Sequence, residues 1–246
     1  MRPVAGHTPV GMQIFEEHSS MRSFKRLAAT ATILGTLALG AAPAFAGPAQ
    51  QADVDHAIGT LQDLRHDKEF GNARQLLQTA RAVLIAPRIF KAGFFVGGEG
   101  GDALLLVRGP HGWSDPAFYT VASASFGLQI GAAESEMIMF IRSQKALEAI
   151  MHDHFKIGAD AALAVATLGS DVEGATTAAA GADVVVWASS SGAYAGIKLD
   201  GTVISAQNNA DASYYGRPVT TSDIVLRHRV SSPAASGLRR MLDALS

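Results

Sequence analysis

Residues 91–109 read KAGFFVGGEGGDALLLVRG. Four glycines fall within residues 97–101. Gly98, Gly100 and Ala103 stand at the spacing of a relaxed dinucleotide-binding loop. Such a loop follows a strand and opens a helix, because the helix N-terminus holds the pyrophosphate. Here LLLVRG follows, a β-type run that stops at Gly109-Pro110. No helix fits, no acidic residue occurs in 117–133 where the ribose ligand is expected, and no GxxxxGK[ST] occurs. The stretch therefore reads as two strands with GGEGGD as their hairpin connection.

On the N-terminal side, Ile58, Leu61 and Leu64 recur at helical spacing, followed by Leu76, Leu77, Ala80, Val83 and Leu84. This predicts two helices, the first capped by Asp53 or Asp55, with Gly71-Asn72 between them and Pro87 ending the second. On the C-terminal side, FYTVASASFGLQIGA and EMIMFIR are further β-type runs. Ser143 to Phe155 returns to helical spacing. Then IGADAALAVATLG, ADVVVWASSSGAYAGIKLDGTVIS and NNADASYYGRPVT read as strands and turns, with Asp200-Gly201 as a hairpin signal. Ser236 to Leu245 reads as a terminal helix. The fold class is α+β: N-terminal helices packed on a curved, largely antiparallel, glycine-rich β-sheet in a single domain. Glycines four apart (Gly93 and Gly97, Gly127 and Gly131, Gly192 and Gly196) mark either sharp sheet curvature or a groove where a ligand lies on bare sheet.

The 246-residue chain is 48% hydrophobic and 17% charged, below the roughly 25% usual for soluble domains. Met21 opens MRSFKRLAATATILGTLALGAAPAFA: a basic start, a short apolar run and an A-x-A site at Ala44–Ala46. Those three parts read as a signal peptide over 21–46, with 1–20 a non-native extension. Residues 47–72 form a linker and N-terminal helix, and 73–246 the main domain. The reading predicts an exported protein, periplasmic or envelope-associated. The chain has no cysteine, which excludes disulfides and thiolate chemistry. Residues 1–46 hold four of the 20 Lys/Arg and two of the 22 Asp/Glu, so the mature chain has a net charge of −4. No global attraction to nucleic acid is indicated.

Catalytic and metal motifs are weak. His152 and His154 are two apart and would point some 200° apart on a helix, so they cannot share a metal. Ser189-Ser190-Ser191-Gly192 lacks the GxSxG elbow. The acids Asp160, Asp171, Glu173 and Asp183 have no EF-hand spacing. The reading assigns no catalytic residue, no metal and no cofactor. One charge pattern stands out. Arg74, Arg81 and Arg88 are seven apart, a single stripe on a helix, with Lys91 beyond and Leu76, Leu77, Val83 and Leu84 between. This is either the solvated face of a core helix or a membrane-surface segment. Trp113, with Phe118 and Tyr119, belongs either to the core or to a lipid interface.

The blocks RAVLIAPRIFKAGFFVGGEGGDALLLVRG, GWSDPAFYTVASASFGLQIGAAESEMIMF, FKIGADAALAVATLG, GADVVVWASSSGAYAGIKLDGTVIS and ASYYGRPVTTSDIV occur in order from Ala73 to Val225. In that order they resemble the SYLF lipid-binding domain. In bacteria that family occurs as exported lipid-binding proteins, and in eukaryotes it is fused to SH3 or FYVE modules. The resemblance implies binding to membrane lipid without catalysis, with phosphoinositides as eukaryotic ligands and actin filaments as partners of fungal relatives. It places the lipid contact on a basic amphipathic segment. The lipid-binding residues it implies here are Arg74, Arg81, Arg88, Lys91, Leu77 and Leu84, with Trp113 added from its aromatic cluster. The expected partner is anionic phospholipid or a membrane surface. The alternative is an envelope scaffold that binds a protein on its glycine-rich sheet.

Overall fold

A computed structural model of the protein describes residues 47–93, 96–126, 131–152, 154–159, 163–168, 181–191 and 201–246. The signal-peptide reading, Gly127, the Gly192/Gly196 pair, Asp160, Asp171, Glu173 and Asp200 lie outside those residues.

The LLLVRG run that ruled out a nucleotide loop forms the second half of a long strand. Strand β1 spans Ala82–Gly93 and β2 spans Val96–Gly109. GGEGGD is therefore not the connection. Gly97 to Asp102 lie inside β2, paired throughout to β4 (Ala117–Phe126) on one side and, from Gly97 to Gly100, to β1 on the other. Glycine spacing across two strands had looked like spacing along one. Gly93 in fact faces Gly97 across β1–β2 and Gly131 across β1–β5, where β5 is Gly131–Ile141.

The remaining strands are β3 (Gly112–Trp113), β6 (His154–Lys156), β7 (Val165–Thr167), β8 (Val184–Ser191) and β9 (Val203–Ala206). They form one curled sheet in the order β6-β9-β4-β2-β1-β5-β8-β7, with β3 paired to the end of β2. Among the described pairings only β7–β8 is parallel. The α+β reading and the largely antiparallel sheet hold.

Strand β1 carries an extra residue relative to both neighbours. Its register slips between Ile85 and Phe90 against β2, and between Ala86 and Ile89 against β5. Pro87 sits at this bulge, where a residue without an N–H costs no ladder bond. Pro87 does not end a helix, as its place in the sequence suggests, but marks a strand irregularity.

Helix α1 (Pro48–His66) begins well before the predicted Asp caps, with Gly47 at its N-cap. It buries Val54, Ala57, Thr60, Leu61 and Leu64 on one face. Helix α2 (Phe70–Thr79) follows after Asp67–Glu69, so Gly71-Asn72 lies in its first turn and not between the helices. Helix α3 spans Gln144–Met151, capped by the Ser143 side chain, and hands over to β6 before Phe155. His152 and His154 thus belong to different elements, and His154 Nδ1 lies 3.0 Å from Ser205 Oγ.

NNADASYY, read as turn, is helix α4 (Asn208–Tyr215), ended by Gly216 at φ 67°. Tertiary contacts hold it. Phe118, Tyr214 and Tyr215 pack ring to ring at 5.0 Å, and the Tyr215 hydroxyl donates to Pro116 O at 2.6 Å. Helix α5 (Thr221–Val225) carries a capping box between Thr220 and Asp223. Helix α6 (Ser236–Leu245) buries Leu238, Leu242 and Leu245 and matches the predicted span. It packs on α1 and β3. Asp115 secures it from below, pairing with Arg239 while accepting the Ser232 N–H at 3.0 Å.

Candidate functional sites

The stripe of arginines does not exist as one helix face. Helix α2 stops after Thr79, and the Arg81 N–H already donates to Ile141 O on β5. Arg74 is exposed on α2, Arg81 is exposed at the start of β1, and Arg88 is exposed at the bulge. The apolar partners face inward. Leu77, Val83 and Leu84 are fully buried. The seven-residue spacing crosses a change from helix to strand, so its periodicity has no common axis.

The other predicted residues are also engaged. Arg88 Nε donates to Glu134 Oε1 at 2.7 Å, and its guanidinium lies 5.0 Å from the Phe90 ring centroid. Lys91 Nζ lies 3.7 Å from Glu99 Oε2. Trp113 is core. Its ring lies 4.4 Å beneath the Arg108 guanidinium, and its Nε1–H donates to Ser246 Oγ at 3.3 Å. Arg108 also donates to Leu77 O and Ala80 O, carbonyls left open by the end of α2. Burial pushes its pKa down.

A groove of about 700 Å³ lies between α1 and the sheet, where no residue pattern in the chain pointed. Asp55, His56, Thr60, Asp63 and His66 of α1 and Asp67 just beyond it line the groove, facing Arg88, Glu134, Glu136 and Ser189. Burial raises the Glu136 pKa to about 7; Thr60 opposes this by hydrogen bonding, while Asp63 and Asp67 add to it. Burial also raises Asp53, nearby, to about 6, with Asp102 adding and His56 and Arg88 opposing. Asp55, Asp63, Asp67, Glu134 and Glu136 outnumber Arg88 among the lining groups, so the groove favours cationic groups. Helical spacing of Asp55, Asp63 and Asp67 was visible in the chain, but their partners on β5 were not. Among the described residues, no group of three or more His, Asp or Glu is placed to hold a metal ion, and no helix is long and apolar enough to cross a membrane.

The described residues thus form a curled, mostly antiparallel sheet with helices packed on it. Residues 122–245 match the family described as Ysc84, Las17-binding protein actin regulator. The chain belongs to that family, whose domain is the SYLF domain.

Relatives agree. SH3 domain-containing YSC84-like protein 1 of Bos taurus is 28% identical over 160 residues, 64% of this chain and 47% of that protein. Protein YSC84 of Saccharomyces cerevisiae is 28% identical over 174 residues, 69% of this chain and 37% of that protein. LAS seventeen-binding protein 3 of Saccharomyces cerevisiae is 27% identical over 173 residues, 69% of this chain and 38% of that protein. The chain thus spans less than half the length of these curated relatives. The first is named for an SH3 domain and the third for binding.

Proposed function

We propose that the protein is a non-catalytic module that docks reversibly on anionic phospholipid. The observation that carries this reading is a pairing on the surface. Phe90 and Leu226 are the large apolar side chains exposed among the described residues, at 53% and 51%; the Arg88 guanidinium lies over the Phe90 ring, and Arg227 follows Leu226 in the chain. Apolar insertion contributes roughly 25 cal/mol per Å², and each cation near an anionic surface adds about 1 kcal/mol. Together they support attachment without anchoring. Of the predicted cations, Arg74 and Arg81 are exposed and serve this role, whereas Arg88 and Lys91 are each matched by a carboxylate of their own, Glu134 and Glu99.

Protein spanning 47–246 should co-sediment with phosphatidylglycerol or cardiolipin vesicles at low salt, release as salt rises, and ignore phosphatidylcholine. Arg81→Glu should weaken binding severalfold. Absence of binding to either anionic vesicle at any salt would remove the reading.

We further propose export, with cleavage after Ala46. Gly47 caps α1, so such cleavage leaves every described element whole. N-terminal sequencing of exported protein should read Gly47-Pro48; a start upstream of Met21 would refute it.

A second reading has its own support. One yeast relative, LAS seventeen-binding protein 3, is named for a protein partner, and the acidic groove has the charge to hold a basic peptide segment. Stoichiometric recovery of one protein partner, in a preparation that ignores vesicles, would select it.

A further inference from the structure

Leu226 stands in a different setting from Phe90. Phe90 faces Glu134 across the sheet, and Glu134 already holds Arg88. Leu226 opens a loop that follows α5, in the sequence Leu226-Arg227-His228-Arg229. The loop is tied down by its backbone. The Leu226 and Arg227 N–H groups donate to Ser222 O at 3.2 and 3.0 Å, and Arg229 N–H donates to Asp223 O at 2.8 Å. His228 has φ 48°, a left-handed conformation uncommon for a side chain other than glycine. Its ring packs over Gly109, where a Cβ would lie 3.6 Å from Nε2.

This turn brings Arg227 and Arg229 to the same carboxylate oxygen. Arg227 Nη1 lies 3.1 Å and Arg229 Nη1 3.2 Å from Asp223 Oδ1. Both side chains nevertheless keep about 60% exposure (59% and 61%). Arg217 Nη2 donates to Arg229 O at 3.1 Å, adding a third guanidinium. The Thr220 and Arg227 hydrogen bonds hold the Asp223 carboxyl below its ordinary value. One carboxylate thus orders two arginines without covering them, and Arg217 is tied to the backbone of the same loop that carries the exposed Leu226. Arg81 stands at the same end of the sheet, since its carbonyl accepts the Arg108 N–H, next to Gly109.

We propose that the Leu226–Arg229 loop, with Arg217, is the membrane-contacting site. Leu226 enters the boundary between headgroups and acyl chains, and Arg217, Arg227 and Arg229 take lipid phosphates. A soluble anion would gain nothing from Leu226; an anionic lipid surface uses both halves of the patch. Because the arginines are ordered before contact, little side-chain freedom is lost on docking. This site assignment rests on the anionic-phospholipid reading and locates it on the loop, not on a helical stripe.

The test uses protein spanning 47–246 and vesicles of phosphatidylglycerol in phosphatidylcholine. Arg227→Gln with Arg229→Gln should lower apparent affinity by about tenfold to thirtyfold. The same charge change at Arg65 and Lys68, exposed near the end of α1, should change it less than about twofold. Leu226→Trp gives a direct signal, because Trp113 and Trp187 are both buried and contribute a constant background. Its emission should shift to the blue on anionic vesicles and stay put on phosphatidylcholine alone. If vesicles bind but the Leu226→Trp emission does not move, or the two double variants bind alike, the loop assignment is wrong and the wider reading stands. If the unaltered protein binds no anionic vesicle, both fall. If the loop variant keeps its vesicles but loses a co-purifying acidic protein, the loop belongs to a protein partner and the proposal is overturned.

Discussion

Gly101→Ala should destabilise the protein by about 3 kcal/mol or more, at the upper end of overpacking costs. Thermal unfolding should fall by on the order of 10 °C for a domain of this size. The cause is local. Gly101 sits in β2 where β1 bulges toward it at Pro87-Arg88. A Cβ there would overlap the Arg88 carbonyl oxygen, lie 2.9 Å from its carbon and 3.2 Å from Ile89 Cα. All three atoms are backbone, in a strand hydrogen-bonded on both sides, so no side chain can swing away. Gly98→Ala, in the same strand, is the control. Its Cβ would meet only Ser123 O, at 3.9 Å, an ordinary contact. It should change stability by less than about 1 kcal/mol. Equal melting temperatures for the two variants would show that the bulge is not a close approach.

That glycine cluster shows how far sequence reading reached. LLLVRG correctly excluded a helix after the loop, and with it a nucleotide site. What the chain could not display was that a neighbouring strand presses on Gly101, because the pressure comes from a residue 13 positions away at a bulge. Terminal helix α6 was legible because its leucines repeat on one face. The helix expected through QLLQTARAVLIAP holds to Thr79 and fails beyond it, because helical and strand spacing both suit AVLIAP. β-branched Val83 and Ile85 mark the switch, and burial in the centre of the sheet decides it. Helix α4 is rich in Asn, Ala and Ser and held by tyrosine packing, so tertiary contact overrides its turn-like composition.

The candidate sites were less legible still. Leu77, Leu84 and Trp113 were expected at a lipid surface and are core residues. A hydrophobic residue beside an arginine reads the same in sequence whether it faces lipid or the interior. Exposure separates Leu226 from Leu84, and exposure is a property of the fold. One signal for the loop was present: Thr220-x-x-Asp223 matches the spacing of a capping box, and Leu-Arg-His-Arg follows it. Its meaning depends on the left-handed His228, which no pattern of residues announces.

Between pH 5 and pH 8 the protein should lose stability, and Asp211→Asn should remove most of that loss. Asp211 lies in the first turn of α4 and is fully buried. Its Oδ1 accepts the Phe118 N–H at 2.9 Å, which joins α4 to β4, while Oδ2 has no partner among the described residues. Burial raises its pKa from 3.8 to about 7, against the opposing hydrogen bond from Phe118. The folded state therefore holds the proton more tightly than the unfolded chain. Stability from this group is fully present below pH 3.8 and is lost as pH rises through about 7. The interval from 3.8 to about 7 corresponds to on the order of 4 kcal/mol. Glu136 and Asp53, raised to about 7 and about 6, act in the same direction but are only partly buried, so they leave a smaller residual slope. Asp183 and Asp223 have lowered values, so they stay ionised across this window and contribute no slope. Asparagine keeps the oxygen that accepts the Phe118 N–H and carries no charge at any pH. Melting curves of both proteins at pH 5 and pH 8 decide the matter. A native melting temperature that holds or rises toward pH 8 would contradict the prediction. So would an Asp211→Asn protein with the full native difference, since burial of the Asp211 carboxylate would then not control the acid preference of the fold.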